Sequence, residues 1–361
     1  MDFVITHRGK LRKKYGKESA NRLIGCIKKL VGVKNGALML IDKYKGKEEK
    51  FDFKEQVIPK RLKICFDEID QTTDEENNFL IIGGDSIIPF FRVKNPTNDQ
   101  DKKIITDAPY ASRDNDFLIP QTSFGRISDS AEKDVEFLTQ IIEQARKHYN
   151  GSEGNKESFG YTASVWKKAS KSVYSVVGDV KNLKISPPLD AKKLKKNWFK
   201  KKYLYFNLHG SNQTPNWYGQ RAQGDEPDFP LYPIALTPEK IPSLKGSCVY
   251  TEACYGAWIF DKSKEESLAL TFLSQGAIAF VGSTAIAYGP PAPPSTEADL
   301  LGHYFLKNVK MGIPFGIALR NAKVDFAKTM IKKQGFLDGD DKKTLLEFQL
   351  YGDPSLGFTK K

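Results

Sequence analysis

The sequence predicts an α/β protein made of two tandem doubly wound units with mostly parallel sheets. Apolar strand-like runs alternate with amphipathic helical runs in both halves of the 361-residue chain. A polar, glycine-bearing stretch, NGSEGNKES, separates the two sets. We therefore expect an N-terminal α/β subdomain over residues 1–150 and a C-terminal one over residues 151–361 that carries the chemistry.

The first half opens with a strand, DFVIT, and an amphipathic helix, ESANRLIGCIKKLVG. A buried strand, ALMLID, a helix, RLKICFDEID, and an apolar strand, NFLIIGG, come next. PFFRV and FGRIS have the length and composition of short strands. In AEKDVEFLTQIIEQARKHY the apolar residues recur at i, i+3, i+4 and i+7, which predicts a long amphipathic helix.

The second half repeats the alternation. SVYSVVGDV, YLYFNL, SCVYTEA and AIAFVGS are predicted strands, and the predicted helices are SLALTFLSQG, ADLLGHYFLKNVKMG and FGIALRNAKVDFAKTMIKK. PPAPPS cannot form regular structure, because consecutive prolines lack amide donors. We expect it to be a loop near the ends of the strands.

Composition excludes several classes of protein. The net charge of +12 is spread over scattered lysine clusters without a recognised nucleic-acid module, so nucleic acid is not an expected partner. No apolar run reaches the length of a membrane span, and the N-terminus does not resemble a secretory signal, so we expect a cytoplasmic location. The four cysteines and four histidines show no metal-ligand spacing, so we expect neither a disulfide framework nor a metal cofactor.

A histidine and a cysteine stand at the ends of two predicted strands. His209-Gly210 follows YLYFNL, and Ala253-Cys254 ends the run that starts at Ser247. Ligands and reactive groups collect at the carboxyl edge of parallel sheets. A thiol needs a base to become a nucleophilic thiolate, and imidazole is the usual one. The 45 positions between the two residues leave room for one crossover between neighbouring strands.

These two sequence motifs resemble those of the caspase-like cysteine peptidases, which include caspases, legumains, clostripain, separase and gingipains. YFNLHGS and YTEACYGA are most similar to legumain. The flanking sequence segments resemble those of the gingipains over most of residues 80–358: FLIIGGDSIIPFF, DAPYASRDND, FGRIS, FVGSTAIAYG and LYGDPSLGF. The resemblance implies a caspase/gingipain-like fold and cysteine endopeptidase activity on a protein or peptide substrate.

Cys254 is then the expected nucleophile, and His209 the base that later protonates the leaving amine. The resemblance implies that the amides of Gly210 and Cys254 form the oxyanion hole. Glycine at position 210 also has a chemical reason, because a Cβ would obstruct the close approach of the substrate oxygen. The structural alternatives are a buried cysteine, a histidine at a strand end and an ordinary turn glycine.

Two acidic residues are candidates for binding the substrate side chain before the cleaved bond. Glu252, two positions before Cys254 on a strand, shares its face and would suit Lys or Arg. Asp134 occupies the place of a gingipain residue that binds a basic side chain. Glu252 could instead pair with a neighbouring basic residue, and Asp134 could favour a helix N-terminus. Structural calcium, known in gingipain relatives, and a regulatory protein partner stay open.

One departure from the gingipain pattern concerns the group that orients the histidine. Gingipains carry a Glu four residues before the glycine of the motif that corresponds to FGRIS, and this chain has Gln121 there. Gln121 brings no charge to stabilise an imidazolium. The departure leaves two alternatives to the endopeptidase open: a catalytically silent scaffold with the same fold, and a transamidase that uses the same two residues.

Overall fold

The computed structural model describes residues 1–44, 58–71, 76–149 and 157–358. The predicted boundary between residues 150 and 151 lies outside the described residues, so the division into subdomains stays a prediction. The described strands are β1 (Asp2–Thr6), β2 (Ala37–Leu40), β3 (Asn78–Ile82), β4 (Phe91–Lys94), β5 (Lys103–Thr106), β6 (Ser123–Ile127), β7 (Ser158–Ala163), β8 (Lys184–Ser186), β9 (Tyr203–Asn207), β10 (Trp217–Tyr218), β11 (Ile234–Leu236), β12 (Ser247–Thr251), β13 (Ala277–Ser283) and β14 (Phe348–Gly352). The described α-helices are α1 (Arg8–Tyr15), α2 (Lys17–Lys34), α3 (Pro59–Asp70), α4 (Ala108–Ala111), α5 (Val135–Tyr149), α6 (Lys167–Tyr174), α7 (Leu268–Ser274), α8 (Glu297–Lys310), α9 (Phe315–Gln334) and α10 (Gly339–Glu347).

Strands from both halves form one ten-stranded sheet in the order β2-β1-β3-β6-β14-β13-β12-β9-β7-β8. Its neighbours are parallel except for β13 and β14, and β6 joins β14 where the two halves meet. Two short antiparallel pairs, β4–β5 and β10–β11, stand apart from it. The predicted α/β class with mostly parallel strands is confirmed.

The central strands are buried on both faces, which explains their continuous apolar runs. Every residue of β9, β12 and β13 is buried. Helices cover the sheet: α2 packs against α5, and α8 packs against α6 and α9. Because parallel strands share a direction, the loops after β9, β12 and β13 leave the sheet at one edge, and that edge carries the predicted site.

Two of the predicted strands differ from the structure. SVYSVVGDV contributes to the end of helix α6, where Ala169, Ser170, Val173 and Tyr174 are buried on one helical face. Its β-branched residues suggested a strand, but burial at helical spacing decided the outcome. ALMLID gives the edge strand β2, whose four residues are half-buried and not fully enclosed as the sequence predicted.

The C-terminal GDPSL motif contacts the first half of the chain through a buried ion pair. The Lys34 ammonium lies 2.5 Å from the Asp353 carboxylate, and neither side chain is more than 1% exposed. Asp353 also accepts hydrogen bonds from the Tyr149 hydroxyl and the Ser355 amide. The end of α2 is thereby bonded to the segment that follows β14.

We predict that Asp353→Asn destabilises the protein by about 3 kcal/mol, because it leaves the buried Lys34 ammonium with only the more distant Asp2 carboxylate, 4.0 Å away, as a counter-charge. Urea denaturation would measure the free energy of unfolding. The double variant Lys34→Met/Asp353→Asn should recover part of the loss, since it removes both charges. An Asp353→Asn protein as stable as the parent would contradict this role for the pair.

Candidate active site

The pairing of β9 with β12 brings His209 and Cys254 to the same edge. The two strands are parallel, and their register joins Tyr203 to Cys248 and Phe206 to Thr251, a constant offset of 45 residues. One further ladder bond runs from the Glu252 amide to the Phe206 carbonyl. His209 and Cys254 have the same offset, so they leave the sheet side by side just beyond its last bonded pairs.

Cys254 lies in a tight turn and not on the strand itself, because β12 ends at Thr251. The next residue, Tyr255, has a φ of 54°, a left-handed conformation that non-glycine residues rarely adopt. Its amide donates to the Ala285 carbonyl at 2.8 Å, which fixes the turn against the end of β13. Backbone strain of this kind is typical of functional sites.

The geometry around Gly210 suits an oxyanion hole. A Cβ at this position would lie 2.3 Å from the Cys254 carbonyl oxygen, so only glycine lets the two turns approach this closely. Neither the Gly210 nor the Cys254 amide donates a hydrogen bond to another residue in the described part of the chain. Two unused amides in adjoining turns can stabilise a negative oxygen.

His209 is held between aromatic rings and a glutamine. Its ring lies 4.4 Å from the Trp166 ring and 5.5 Å from the Tyr232 ring, centroid to centroid. Its Nε2 is 2.8 Å from the Gln220 side-chain oxygen. Burial lowers the pKa of His209, although the bond with Gln220 acts in the opposite direction. A neutral imidazole whose Nε2 donates to Gln220 keeps the lone pair on Nδ1 for use as a base.

The Cys254 thiol is protonated in this arrangement. Burial raises its pKa to about 11, and the thiol donates a hydrogen bond to the Ala287 carbonyl at 3.5 Å. The resting pair at neutral pH is thus a thiol and a neutral imidazole. A proton must move from sulfur to nitrogen during the attack on a substrate.

A buried charge cluster fixes the two segments on either side of Cys254. Asp101 accepts from the Tyr255 hydroxyl at 2.6 Å, from the Ile286 amide at 2.8 Å and from the Lys343 ammonium at 2.8 Å. Lys343, which is fully buried, also binds Asp99. Asp101 therefore connects the residue after the cysteine to the segment that receives the thiol hydrogen bond.

A cleft of about 880 Å³ opens in front of Cys254. Its walls come from the loop after His209, the turn after Cys254 and a segment of the first half, with Gly210, Asn212, Tyr255, Trp258 and Lys103 among the lining residues. Residues from both halves of the protein thus surround the thiol.

Glu252 does not share the exposed face of Cys254, because the strand ends between them. Its carboxylate is buried, accepts a hydrogen bond from the Tyr205 hydroxyl at 2.8 Å and lies against Asp299 of α8. Burial raises the pKa of Glu252 well above its usual range, and Asp299 adds to the rise. Burial, helped by Glu297, raises the pKa of Asp299 to about 7. Within the described part of the chain no lysine or arginine pairs with either carboxylate.

The structure does not bring Asp134 or Gln121 to this cleft. Asp134 caps α5 by accepting from the Phe137 amide and pairs with Lys264 at 3.4 Å, so its position follows from the helix dipole. Gln121 binds the Arg113 amide and Asp114, and Gln220 takes the place next to His209. Sequence reasoning missed Gln220, Asp299 and the charge cluster because no local motif marks them.

Comparison with known proteins adds a family match over part of the chain. Residues 235–359 match the family model of Peptidase family C25. The chain is a cysteine-type peptidase. Its predicted resemblance to the gingipain type of caspase-like peptidases is therefore confirmed. A search of curated proteins finds no relative of the peptidase.

Solved structures support the same fold for the peptidase. The crystal structure of the Arg-specific cysteine proteinase gingipain R matches with 16% identity and a TM-score of 0.66, over 99% of this chain and 77% of that one. A complex of the pro- and mature domains of Porphyromonas gingivalis RgpB matches with 15% identity and a TM-score of 0.63, over 98% and 79% of the two chains. At these identities the likeness concerns the fold.

The described ranges contain no group of three or more His, Cys, Asp or Glu side chains arranged to hold a metal ion. No helix within those ranges is both long and apolar enough to cross a membrane. The calcium sites left open by the sequence stay unplaced.

We predict that alkylation of Cys254 by iodoacetamide accelerates about tenfold for each pH unit between pH 7 and pH 9. The raised pKa of the thiol keeps the reactive thiolate a small, pH-proportional fraction over this range. Peptide mass spectrometry would follow Cys254 separately from Cys26, Cys65 and Cys248. A rate that levels off below pH 8 would show that the thiol titrates near or below its ordinary pKa.

Proposed function

We propose that this peptidase is an endopeptidase that uses His209 and Cys254 through an acyl-enzyme and cleaves after a basic residue. The observation that carries the proposal is the shared register of the strands before these residues, together with the unused amides of Gly210 and Cys254. A base, a thiol and two donors in adjoining turns are what acyl transfer needs.

The proposed reaction begins when the Cys254 thiol passes its proton to His209 and the sulfur attacks the scissile carbonyl. The carbonyl oxygen becomes an oxyanion that accepts from the amides of Gly210 and Cys254. The tetrahedral species collapses, the C–N bond breaks, and His209 gives its proton to the leaving amine. Water, deprotonated by His209, then attacks the thioester, and the carboxylic acid product leaves with the thiol restored.

The preference for a basic side chain rests on the buried carboxyl pair Glu252–Asp299. Two buried carboxyl groups without a cationic partner repel each other when ionised, and a guanidinium or ammonium between them would offset that cost. The backbone of Gly289, in the neighbouring loop, lies directly against the Asp299 carboxyl group. A Cβ at Gly289 would lie only 2.7 Å from the Asp299 Oδ2. Movement of that loop would open a path to the acids.

Peptide libraries would test the proposed reaction directly. Incubation with peptides that present Arg, Lys or Asn before a fluorophore should give turnover with Arg and Lys, and Cys254→Ala should abolish it. No turnover, together with no labelling of Cys254 by an acyloxymethyl ketone, would favour the silent scaffold. Transfer of the acyl group to an added amine in place of hydrolysis would favour the transamidase.

Replacement of Gln220 tests its role in positioning His209. Gln220→Ala should lower kcat about 10- to 100-fold, because the imidazole loses the partner that fixes its Nε2. Gln220→Glu should retain more activity and move the acid limb of the pH profile upward, since a carboxylate raises the pKa of His209 and only neutral imidazole acts as a base. An unchanged acid limb in Gln220→Glu would contradict this role.

Asp299→Asn separates substrate recognition from folding. We expect kcat/KM for an Arg peptide to fall at least about tenfold relative to an Asn peptide, because an ion pair with the substrate is lost. At pH 8 the same variant should be more stable by roughly 1–3 kcal/mol, since the raised pKa means that the folded state disfavours the carboxylate there. The stabilisation should fade as the pH falls below about 7, the raised pKa of Asp299, and should be gone below the unfolded pKa of Asp.

A matched Asp325→Asn change on α9 controls for the loss of one acidic group elsewhere. It should leave both the substrate ratio and the pH dependence of stability near those of the parent. Asp299→Asn with an unchanged Arg-to-Asn ratio would refute a role for Asp299 in substrate binding, whatever happens to stability.

A further inference from the structure

A second large cleft lies at the carboxyl edge of the first-half strands, where the sheet repeats the geometry of the active site. Its volume is about 910 Å³. Gly9 and Lys10 follow β1, Gly84 and Asp85 follow β3, and the segment 128–131 follows β6. Nothing in the proposed reaction uses this cleft.

The second cleft adjoins the cleft in front of Cys254. Arg92 lines both of them. A row of aromatic rings runs beneath them, from Trp258 in the cysteine cleft to Phe260 at 5.0 Å and on to Phe90 at 4.9 Å. Tyr255, next to the nucleophile, touches the same row through Trp258 at 5.8 Å. A chain that passes Cys254 can therefore extend along this row.

The rim of the combined groove is positively charged. Lys10, Lys13, Lys102, Lys103 and Lys133 line it, and four of these, all except Lys10, are exposed. None of those four forms an ion pair with a residue that the structure describes.

The acidic residues of the groove are largely neutralised by partners of their own. Asp85 is paired with Arg92 at 2.7 Å, Asp129 with Lys14 at 2.6 Å and Asp101 with Lys343 at 2.8 Å. Asp261 also lines the second cleft and forms no ion pair with a described residue. The four exposed lysines outnumber this one free carboxylate, so they determine the sign of the local potential.

We propose that this groove binds an acidic stretch of the protein substrate and holds it next to the scissile bond at Cys254. The inference rests on the proposed function and adds a substrate class to it: proteins in which a run of Asp and Glu lies to one side of a basic cleavage residue. Exposed lysines attract such a run over a Debye length of about 8 Å at physiological salt. The aromatic floor supplies contacts for its backbone and aliphatic groups.

An acidic peptide explains the groove better than a nucleic acid does. The groove is joined to a peptidase centre through Arg92 and the aromatic row, so the chain that enters it is the chain that is cut. Four carboxylates line it, and one of them, the exposed Asp261, forms no ion pair with a described residue and would face a continuous phosphate backbone unfavourably. Spaced peptide carboxylates can match the lysines between them.

Binding to the full chain with Cys254→Ala tests the inference without requiring turnover. Fluorescence anisotropy would compare labelled peptides that carry Arg followed by Asp and Glu, Arg preceded by them, and Arg flanked by Asn and Gln. We expect one acidic peptide to bind about tenfold more tightly than the amide version, with affinity that falls between about 50 and 200 mM salt. The better of the two acidic peptides identifies the side of the bond that occupies the groove.

Charge reversal then locates the binding surface. Lys13→Glu/Lys103→Glu/Lys133→Glu should abolish the preference for the acidic peptide. The control Lys328→Glu/Lys332→Glu/Lys333→Glu makes the same change of charge on exposed lysines of α9 and should retain it. Thermal denaturation of both variants, and neutral Lys→Gln versions of the groove set, show whether any loss reflects unfolding.

Several outcomes would overturn the inference. These are equal affinity for acidic and amide peptides, equal loss of preference in the two charge-reversed variants, and displacement of the acidic peptide by a single-stranded oligonucleotide at lower concentration than by unlabelled peptide. If instead no peptide is ever cleaved by the intact enzyme, the proposed function fails while the binding results stand by themselves.

Discussion

The parallel register between β9 and β12 is the constraint on which the site depends. A shift of one residue between these strands would turn every side chain to the other face and separate His209 from Cys254. The register is secured by burial on both faces, since all residues of the two strands are enclosed. The packing of the core and the placement of the two proposed catalytic groups are therefore the same requirement, and a defect in the core would displace His209 or Cys254 directly.

Sequence reasoning could find the residues whose signal is local. His209, Gly210 and Cys254 stand next to apolar strands, and their residue types suit the chemistry, so the strand ends alone indicated them. Gln220 and Asp299 could not be found in this way. Gln220 follows β10, and an isolated β-bridge between His209 and Tyr218 brings it next to His209. Asp299 lies on α8, 47 positions after Glu252 in the sequence, and contacts it across the fold. Contacts between segments far apart in the chain leave no periodic pattern in either segment.

The same distinction separates the confirmed features of the fold from the corrected ones. The long amphipathic helices α2, α5, α8 and α9 and the apolar strands of the sheet carry strong periodicity, and all of them are present. SVYSVVGDV was mistaken for a strand because β-branched residues outweighed a short helical pattern of burial. The half-buried state of β2 depends on its place at the sheet edge, and strand order is a tertiary property that a single run of residues does not contain.

In the proposed function, the segment from Ile286 to Gly289 would connect substrate recognition to the nucleophile. Its Ala287 carbonyl receives the thiol hydrogen bond, its Ile286 amide is bound by Asp101, and its Gly289 backbone lies over Asp299. The thiol gains a proton acceptor only when His209 replaces Ala287 as its partner, because a carbonyl cannot remove the proton. In the proposed mode of recognition, a basic side chain would reach Asp299 by displacing Gly289, three residues from the Ile286 amide that Asp101 binds. The energy of binding a basic side chain at the Glu252–Asp299 pair would then be available to move the Ile286–Gly289 segment, which holds the thiol in its unreactive state. A peptide without the basic side chain would not supply that energy.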